Sequence, residues 1–392
     1  MKPAALPIAG RLRLPVLQPN AAAYAVDAGA DSLAPLADGL QRPISYLRIS
    51  LTDRCNYRCT YCMPEGGVDI LPRAEILSFE EIESIVAALT QVGVRRVRLT
   101  GGEPTVRKDL LQLVQRLSQL GLTDLSLSTN GERLAELAAP LKEAGLTRLN
   151  VSLDSLSAAR FGEVTRRGNL DAVLAGLAAA RRAGFRNTKL NTVAMRGFND
   201  DELGALCRYA FTNDFIPRFI ELMPMAQGSL FYPGTFLPAA EIRAILRREL
   251  GELGDPDMTD GAPPGVGPAR YTGVRFAGKV HRVGIISAVT EPFCDTCNRI
   301  RLSATGQLHA CLAYDDAIDL RAILRGPLPV PRSGSADDGA MEPAGAEASA
   351  AASRTARLCA AARAGLQQKR LGHEFTPSGC GGPKKHMVSI GG

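Results

Sequence analysis

Six short segments between residues 46 and 223 alternate apolar and polar residues, and amphipathic helical stretches separate them. The predicted strands lie near residues 46–52, 94–100, 124–129, 147–154, 187–194 and 217–223. The predicted helices cover residues 78–92, 109–120, 134–144, 171–183 and 201–211. A strand followed by a helix, repeated along the chain, is typical of βα units and a parallel sheet.

The two faces of the predicted strands differ in polarity. One face is apolar throughout, whereas the other carries polar groups that include Arg48, Arg98, Ser128, Asn150, Ser152, Asp154, Lys189 and Asn191. On the last strand the same alternation assigns Ile220 and Leu222 to the apolar face and Glu221 and Met223 to the polar face. The polar face is therefore expected to be shared by all six strands.

This contrast between the faces favours a barrel. A parallel sheet that helices cover on both sides needs two apolar faces, whereas a barrel that encloses a ligand can be polar inside. An open sheet with one wet face is the alternative, but exposed parallel sheets are rare. Uncompensated burial costs about 1–3 kcal/mol for each polar group, so a large polar ligand or water has to fill the interior. We therefore expect an α/β fold, an incomplete (βα)6 TIM-like barrel with a polar interior.

The rest of the chain has a different composition. A predicted helix at 239–249 and short strands near 270–289 indicate a smaller α+β region after the barrel. Residues 333–356 are rich in Ala, Ser and Gly and poor in large apolar groups, so we expect a disordered loop there. We expect an N-terminal extension (1–43), the partial barrel (44–236) and the C-terminal α+β region (237–332). A low-complexity insertion (333–357) and a C-terminal segment (358–392) follow.

Charge and cysteine content limit the partners and the compartment. The formal charge of +6 is a small excess of 46 basic over 40 acidic residues, and it does not indicate a nucleic-acid partner. The sequence has neither an apolar run of roughly 20 residues nor the pattern of a secretory signal at its start. Six of the nine cysteines form two tight groups, which is typical of metal binding in a reducing compartment. We expect a cytoplasmic protein with no membrane or nucleic-acid partner.

Cys55, Cys59 and Cys62 form the first cysteine group, on the loop that follows the first predicted strand. A barrel of βα units carries its active site at this end of its strands. Three thiolates leave one iron of a cubane cluster without a protein ligand, so that this iron can bind a small molecule. A structural zinc site needs a fourth ligand, and no histidine lies near in the sequence.

The run from Cys55 to Pro64 resembles the signature of radical S-adenosylmethionine (SAM) enzymes. Gly101-Gly102-Glu103-Pro104 resembles the GGE motif of the same superfamily. The resemblance implies that the first cysteine group holds a [4Fe–4S] cluster whose open iron chelates SAM. It also implies that Tyr61 packs against SAM and that the GGE motif meets the SAM amino group.

Cys294, Cys297 and Cys311 form the second cysteine group, outside the barrel segment. His309 is the candidate fourth ligand if this group binds zinc. The run from Phe293 to Leu302, however, resembles the GTP cyclase family of molybdenum cofactor biosynthesis. The segments that begin at Arg48 and Arg98 and the diglycine end of the chain resemble the same family, and the resemblance covers about residues 44–325 and 366–392.

This family resemblance implies cofactors and roles for individual residues. It implies two [4Fe–4S] clusters, one on each cysteine group, and SAM contacts from Tyr61, Gly102, Ser152 and Met223. It implies GTP contacts from Arg48, Arg98, Ser128, Lys189, Arg299, Ile300 and Arg301. Catalytic roles are implied for Arg48, Arg299, Arg301, Gly391 and Gly392. For the inward cations on the strands, pairing with Asp154 or Glu221 is the alternative to binding phosphate.

The implied reaction converts GTP to (8S)-3′,8-cyclo-7,8-dihydroguanosine 5′-triphosphate, an early step of molybdenum cofactor biosynthesis. By resemblance, SAM yields a 5′-deoxyadenosyl radical that takes hydrogen from ribose C3′, and the carbon radical attacks guanine C8 while the second cluster holds the base. The expected partners are GTP, an external electron donor, a downstream pterin synthase and a second copy of the chain in a homodimer. Two alternatives are a radical SAM peptide maturase with an auxiliary cluster and a zinc-bearing binding protein without catalysis.

Overall fold

The computed structural model describes residues 34–255, 267–326 and 343–391. Six parallel strands form the first part of the fold: β1 (Tyr46–Ser50), β2 (Arg96–Thr100), β3 (Asp124–Thr129), β4 (Arg148–Ser152), β5 (Lys189–Ala194) and β6 (Ile216–Glu221). The helices that alternate with them are α1 (Phe79–Gln91), α2 (Leu110–Ser118), α3 (Leu134–Glu143), α4 (Ala158–Thr165), α5 (Leu170–Arg182), α6 (Leu203–Thr212) and α7 (Ala239–Leu250).

The six predicted strands and the helices predicted between them are confirmed, with ends that differ by a few residues. Helix α1 begins at a capping box, in which Ser78 Oγ accepts a hydrogen bond from Glu81 N (3.2 Å) and the Glu81 carboxylate accepts one from Ser78 N (2.7 Å). The sequence pattern did not predict α4. This helix has only eight residues, too few for its apolar spacing to stand out from the loops beside it.

The second part of the fold extends the same sheet on both sides. Its elements are β7 (Leu253–Gly254), β8 (Arg270–Phe276), β9 (Lys279–Ile286), β10 (Arg299–Leu302), β11 (Gln307–His309), β12 (Ile318–Asp319), α8 (Leu320–Arg325), α9 (Pro343–Gln367) and α10 (Met387–Ile390). The strand order is β12-β11-β10-β1-β2-β3-β4-β5-β6-β9-β8-β7, with β10 and β9 parallel to the central six. In the described residues the outermost strands β12 and β7 do not pair, so the barrel is incomplete, as predicted.

The register of the strands separates an apolar outer face from a polar interior. Leu47 pairs with Val97 and Arg48 pairs with Arg98, so residues of one kind stand side by side on the same face. The apolar set is fully buried against the helices, and it includes Leu47, Ile49, Val97, Leu99, Leu127, Leu149 and Val151. The predicted polar interior is confirmed for β1 to β5.

The predicted faces of β6 are wrong. Phe219 is fully buried in the core, whereas Arg218 and Ile220 line the interior. The pairing of Arg218 with Asn191 on β5 fixes this register. In the sequence Ile-Pro-Arg-Phe-Ile-Glu both sets of alternate residues, Ile-Arg-Ile and Pro-Phe-Glu, mix apolar and charged side chains. Alternation alone therefore cannot assign the two faces of β6. Glu221 caps the start of α7 by accepting a hydrogen bond from Ala239 N (2.7 Å).

The prediction of a disordered loop at 333–356 is wrong from Pro343 onward, because α9 covers Pro343–Gln367. This segment is rich in alanine, and alanine has the highest helix propensity of the amino acids, so its composition favours a helix. The C-terminal part of α9 packs against α1, and Cys359 Sγ lies 3.3 Å from the Ala88 carbonyl oxygen. Residues 327–342 of the same stretch lie outside the described residues.

The end of the expected N-terminal extension is packed onto the barrel. Leu36 is buried, and its main-chain N–H donates to the Val92 carbonyl (2.7 Å). Asp38 is also buried and pairs with Arg42 (2.6 Å). Residues 1–33 lie outside the described part. Among the helices that the structure describes, none is long and apolar enough to cross a membrane.

Candidate active site at the two cysteine groups

A cavity of about 1040 Å³ fills the interior of the partial barrel. It runs from the first cysteine group, at the carboxyl ends of the strands, to Arg96, Asp124 and Arg148 at their amino ends. Sites for single small molecules commonly enclose about 300–1,000 Å³, so this cavity has room for a nucleotide beside a second ligand.

The first cysteine group lies on the loop after β1, as predicted, and all three cysteines line the cavity. Two main-chain N–H groups, those of Cys62 and Met63, donate to the Cys59 carbonyl at 3.0 Å each and curl the loop. The end of α4 holds the loop from outside, because Arg58 N donates to the Thr165 carbonyl (3.0 Å). The three thiols are thereby fixed on one turn that faces the interior.

The donor set of this loop fits an iron–sulfur cluster. Burial raises the pKa of Cys55 to about 11 and that of Cys62 to about 12, so bound metal has to supply the positive charge that keeps these thiols ionised. No group of three or more His, Cys, Asp or Glu side chains among the described residues converges on one metal ion. In a cubane cluster each thiolate binds a different iron, so convergence on a single point is not needed.

The GGE motif follows β2 and packs directly against the cysteine loop. Gly102 N donates to the Thr52 carbonyl (2.7 Å), and a Cβ at Gly102 would collide with the Arg54 carbonyl oxygen. Only glycine therefore leaves its main chain open to the cavity here. The Glu103 carboxylate is buried and accepts hydrogen bonds from Thr105, Thr129 and Asn130, so it holds the loops after β2 and β3 together.

The other residues predicted to contact SAM line the same end of the cavity. Ser152 lies at the end of β4, and Met223 lies just after β6. Tyr61 is oriented by Asp154, whose carboxylate accepts a hydrogen bond from the Tyr61 hydroxyl (2.6 Å) and another from Val193 N (2.9 Å). Burial raises the pKa of Asp154 to about 6.

Cationic side chains line the middle of the cavity. Arg48, Arg98 and Lys189 project inward from β1, β2 and β5, as predicted, and Ser128 lies beside them on β3. Among the residues that the structure describes, no ion pair joins Arg98 or Lys189 to Asp154 or Glu221. The hydrogen bonds of both carboxylates go to Tyr61 and to main-chain and threonine donors. The structure therefore does not support the pairing alternative for Arg98 and Lys189.

Arg218 is a fourth cation of this interior, which the sequence analysis missed. It is buried, and its guanidinium donates to Asn191 Oδ1 (2.6 Å) and Asn150 Oδ1 (2.9 Å). Its inward position follows from the register of β6 against β5, in which Arg218 pairs with Asn191, and the local sequence carries no signal of that register. Burial, followed by repulsion from Arg218, Arg148 and Arg98, lowers the pKa of Lys189 to about 6. The cavity therefore favours an anionic ligand.

The second cysteine group lies on the loops that flank β10 and β11. Its neighbours Asp295, Thr296 and Leu312 line the cavity, whereas the three cysteines themselves do not. Arg299 and Arg301 project from β10 into the cavity beside it. The Arg299 guanidinium also lies 4.7 Å from the centre of the Phe293 ring. Burial opposes ionisation of Cys297, yet Arg299 and Lys369 lower the pKa of this thiol to about 7.

His309 does not complete a zinc site in the described residues. Its Nδ1 lies 3.0 Å from both the Asp316 carbonyl oxygen and Lys385 Nζ, so this nitrogen is engaged away from the cysteines. No convergent set of three metal-binding side chains includes it. Burial and the charge of Lys385 lower the pKa of His309 to about 3.

Ile300 is placed differently from the other residues predicted to contact GTP. Its side chain is fully buried in the core, opposite Leu47, so only its main chain is open to a ligand. The reason is the alternation along β10, in which Arg299 and Arg301 occupy the interior face and Ile300 occupies the other.

The C-terminal tail enters the site. The Arg301 guanidinium donates to the Gly391 carbonyl, and the Val388 side chain lies close to Gly102 of the GGE motif. Gly391 has a φ of 71° and lies against Ser50 and Thr100, where a Cβ would collide with the Thr100 methyl group. Glycine is therefore required at this position. Gly392, the other predicted tail residue, lies outside the described residues.

Two family models match successive parts of the chain. Residues 49–210 match the family model "Radical SAM superfamily", and residues 216–329 match "Molybdenum Cofactor Synthesis C". Among solved structures, Streptococcus suis SuiB bound to precursor peptide SuiA aligns with a TM-score of 0.43 and 17% identity over 55% of this chain and 45% of that chain.

Curated relatives match over most of the chain. The GTP 3′,8-cyclase of Pelotomaculum thermopropionicum is 48% identical over 291 residues, which cover 74% of this chain and 88% of that protein. The GTP 3′,8-cyclase of Pseudomonas putida is 45% identical over 292 residues, which cover 74% and 85%. The radical SAM match implies a [4Fe–4S] cluster and SAM as cofactors. The chain belongs to the GTP 3′,8-cyclase family of radical SAM enzymes.

Proposed function

We propose that this protein converts GTP to (8S)-3′,8-cyclo-7,8-dihydroguanosine 5′-triphosphate in molybdenum cofactor biosynthesis. The observation that carries the proposal is one cavity that joins the first cysteine group to Arg48, Arg98, Lys189, Arg218, Arg299 and Arg301. Clustered guanidinium and ammonium groups match phosphate oxygens in charge and in geometry. A triphosphate is the anion that needs this many cations.

Cys55, Cys59 and Cys62 would hold the cluster that binds SAM. When bound, this cluster supplies the electron for reductive cleavage of SAM. Tyr61, Gly102, Ser152 and Met223 line the cavity around the cysteines, which supports their assignment as SAM contacts. The hydrogen bond from Tyr61 to Asp154 holds the ring in one orientation before the cofactor arrives.

We assign Arg48, Arg98, Ser128, Lys189, Arg299, Arg301 and the main chain of Ile300 to GTP, and Arg218 joins them. The side chains of Arg48, Arg98, Ser128, Lys189, Arg218, Arg299 and Arg301 line the cavity that the first cysteine group also lines, which supports a nucleotide bound beside that group. The interior cations exclude bulk water from the phosphates and neutralise them, so the ribose and the base can be held in one place.

Cys294, Cys297 and Cys311 would hold a second [4Fe–4S] cluster, and three protein ligands would leave one iron able to bind the base. Arg299 and Arg301 flank this group on β10, which supports a role in holding substrate against it. The contact of Gly391 with Arg301 supports a role of the diglycine tail in positioning the same arginine.

The proposal extends to partners and location. An external electron donor reduces the first cluster, a pterin synthase consumes the product, and two copies form a homodimer. The nine cysteines are all free thiols, which supports a reducing, cytoplasmic location. The electron donor and the pterin synthase follow from the proposed reaction.

The direct test is turnover by the anaerobically reconstituted protein. With GTP, SAM and dithionite we expect 5′-deoxyadenosine and the cyclic nucleotide in equal amounts, measured by chromatography with mass spectrometry. Cys55→Ala should abolish both products, and Cys207→Ala, a buried cysteine of the core, is the matched control. Formation of 5′-deoxyadenosine with a peptide substrate but not with GTP would favour the peptide maturase alternative.

A further inference from the structure

Lys369 lies just after α9, with its side chain buried against the loop of the second cysteine group. Its Nζ donates to the carbonyl oxygens of Arg299 (2.9 Å) and Cys297 (3.2 Å). The same Nζ lies 3.6 Å from Cys297 Sγ, within the range of a hydrogen bond to sulfur. Lys369 is only 5% exposed, which is unusual for a lysine.

A buried ammonium needs a nearby negative charge, because an unpaired charge in the interior is costly. Lys369 forms no ion pair with a carboxylate among the described residues, and its three hydrogen-bond acceptors all belong to the cysteine loop and β10. The Cys297 sulfur, as a thiolate, is the one acceptor of the three that carries a full charge. Lys369 is therefore matched to a metal-bound thiolate.

A second buried cation, Arg42, also donates hydrogen bonds to the main chain of this loop, but it has a carboxylate partner. Arg42 donates to the carbonyl oxygens of Cys294 (2.5 Å), Leu371 (3.1 Å) and Arg370 (2.8 Å). Its charge is balanced by Asp38, at 2.6 Å. Both cations fix the main chain of the cysteine loop, but only Lys369 depends on the sulfur for its counter-charge.

We propose that Lys369 is a positioning residue of the second cysteine group that holds the loop and donates a hydrogen bond to the Cys297 thiolate of the bound cluster. This inference rests on the proposed second cluster. Hydrogen bonds and charges at the ligand sulfurs set the reduction potential of an iron–sulfur cluster. A cation at Cys297 stabilises the reduced, more negative cluster, so it raises the potential and strengthens iron retention.

The test uses protein that carries Cys55→Ala, Cys59→Ala and Cys62→Ala, so that the second cluster is observed alone. In this background Lys369→Met should shift the midpoint potential of the cluster to more negative values in a redox titration followed by electron paramagnetic resonance. The affinity for iron, measured by competition with a chelator, should also fall about tenfold or more, which is the typical cost of removing a partner of a metal ligand.

Two further variants separate charge from packing. Lys369→Arg keeps the cation and should restore most of the potential, whereas Lys369→Gln keeps a donor without the charge and should resemble Lys369→Met. Lys384→Met removes an exposed lysine of the same C-terminal segment and should leave potential and iron retention unchanged. Melting curves identify any variant that fails to fold, and either neutral variant is sufficient for the test.

The outcomes distinguish this inference from the proposal on which it rests. A parent variant with about four irons, whose potential is unchanged by both Lys369→Met and Lys369→Gln, overturns the role of Lys369 alone. A parent variant that binds zinc or no iron overturns the second cluster and the role of Lys369 together. A potential that falls in both neutral variants and recovers with Lys369→Arg supports the inference.

Discussion

Individual cations decide what the cavity can bind. Lys189 is the most sensitive of them, because burial and the arginines around it lower its pKa to about 6. The ligand-free lysine is therefore mostly neutral above that pH. A bound triphosphate favours the ammonium form and raises the pKa again.

We therefore predict that GTP binding at about pH 8 takes up a proton and that the affinity for GTP falls as the pH rises above 6. Calorimetry in two buffers of different ionisation enthalpy measures the uptake. Lys189→Met should abolish the uptake and flatten the pH dependence. Equal uptake by the parent protein and by Lys189→Met would contradict the assignment.

Arg218 provides a prediction that the sequence pattern could not have given. Its guanidinium is held by Asn191 and Asn150 and faces the interior, so Arg218→Met should weaken GTP binding by about 1.5–3 kcal/mol, or roughly 10- to 150-fold. SAM binding should change little, since SAM is assigned to the cysteine end of the cavity. Arg186→Met, at an exposed arginine outside the cavity, is the control. An equal loss for both ligands would show that Arg218 is structural.

At the scale of elements, the tail that contains α10 connects the two halves of the site. Val388 lies close to Gly102 beside the first group, and Gly391 contacts Arg301 beside the second. The tail is anchored by Lys385, whose buried ammonium donates to the Tyr314 carbonyl. This segment therefore has a defined position, unlike most chain ends.

We predict that Gly391→Ala suppresses cyclisation of GTP and spares the iron content and GTP binding. The added methyl group meets the Thr100 side chain, and the φ of 71° is strained for alanine, so the Gly391 carbonyl has to leave Arg301. Deletion of Gly391 and Gly392 should have the same effect. Ser389→Ala, on the exposed side of α10, is the control. Full turnover by both Gly391→Ala and the deletion variant would contradict a role of the tail in the reaction.

At the scale of the whole molecule, the sheet brings together two cysteine groups that are more than 200 residues apart in the sequence. Strand β10 returns to pair with β1, so Arg301 lies beside Arg48 and the loop of the second group reaches the cavity that the first group lines. If both groups hold four-iron clusters, anaerobic protein should contain about eight irons and little zinc.

Variants of each cysteine group should lose about half of this iron. The His309→Ala variant should lose none, because His309 Nδ1 lies at hydrogen-bond distance from the Asp316 carbonyl oxygen and Lys385 Nζ and does not bind metal. In protein without the first three cysteines, GTP should perturb the spectrum of the remaining cluster and SAM should not. Metal analysis and electron paramagnetic resonance measure both effects. Stoichiometric zinc at the second group would contradict the prediction.

The sequence by itself determined the βα alternation, the polar faces of β1 to β5 and the two cysteine groups. These features depend on near neighbours, because strand and helix periods repeat every two to four residues and each cysteine group spans at most 18 residues. Only the tertiary structure decided the faces of β6, the contacts of Gly391 and the burial of Lys369. Each of these is fixed by a partner far along the chain: Asn150 for Arg218, Arg301 for Gly391 and Cys297 for Lys369. Local periodicity carries no information about such long-range pairs, which form only when the sheet brings distant strands and loops together.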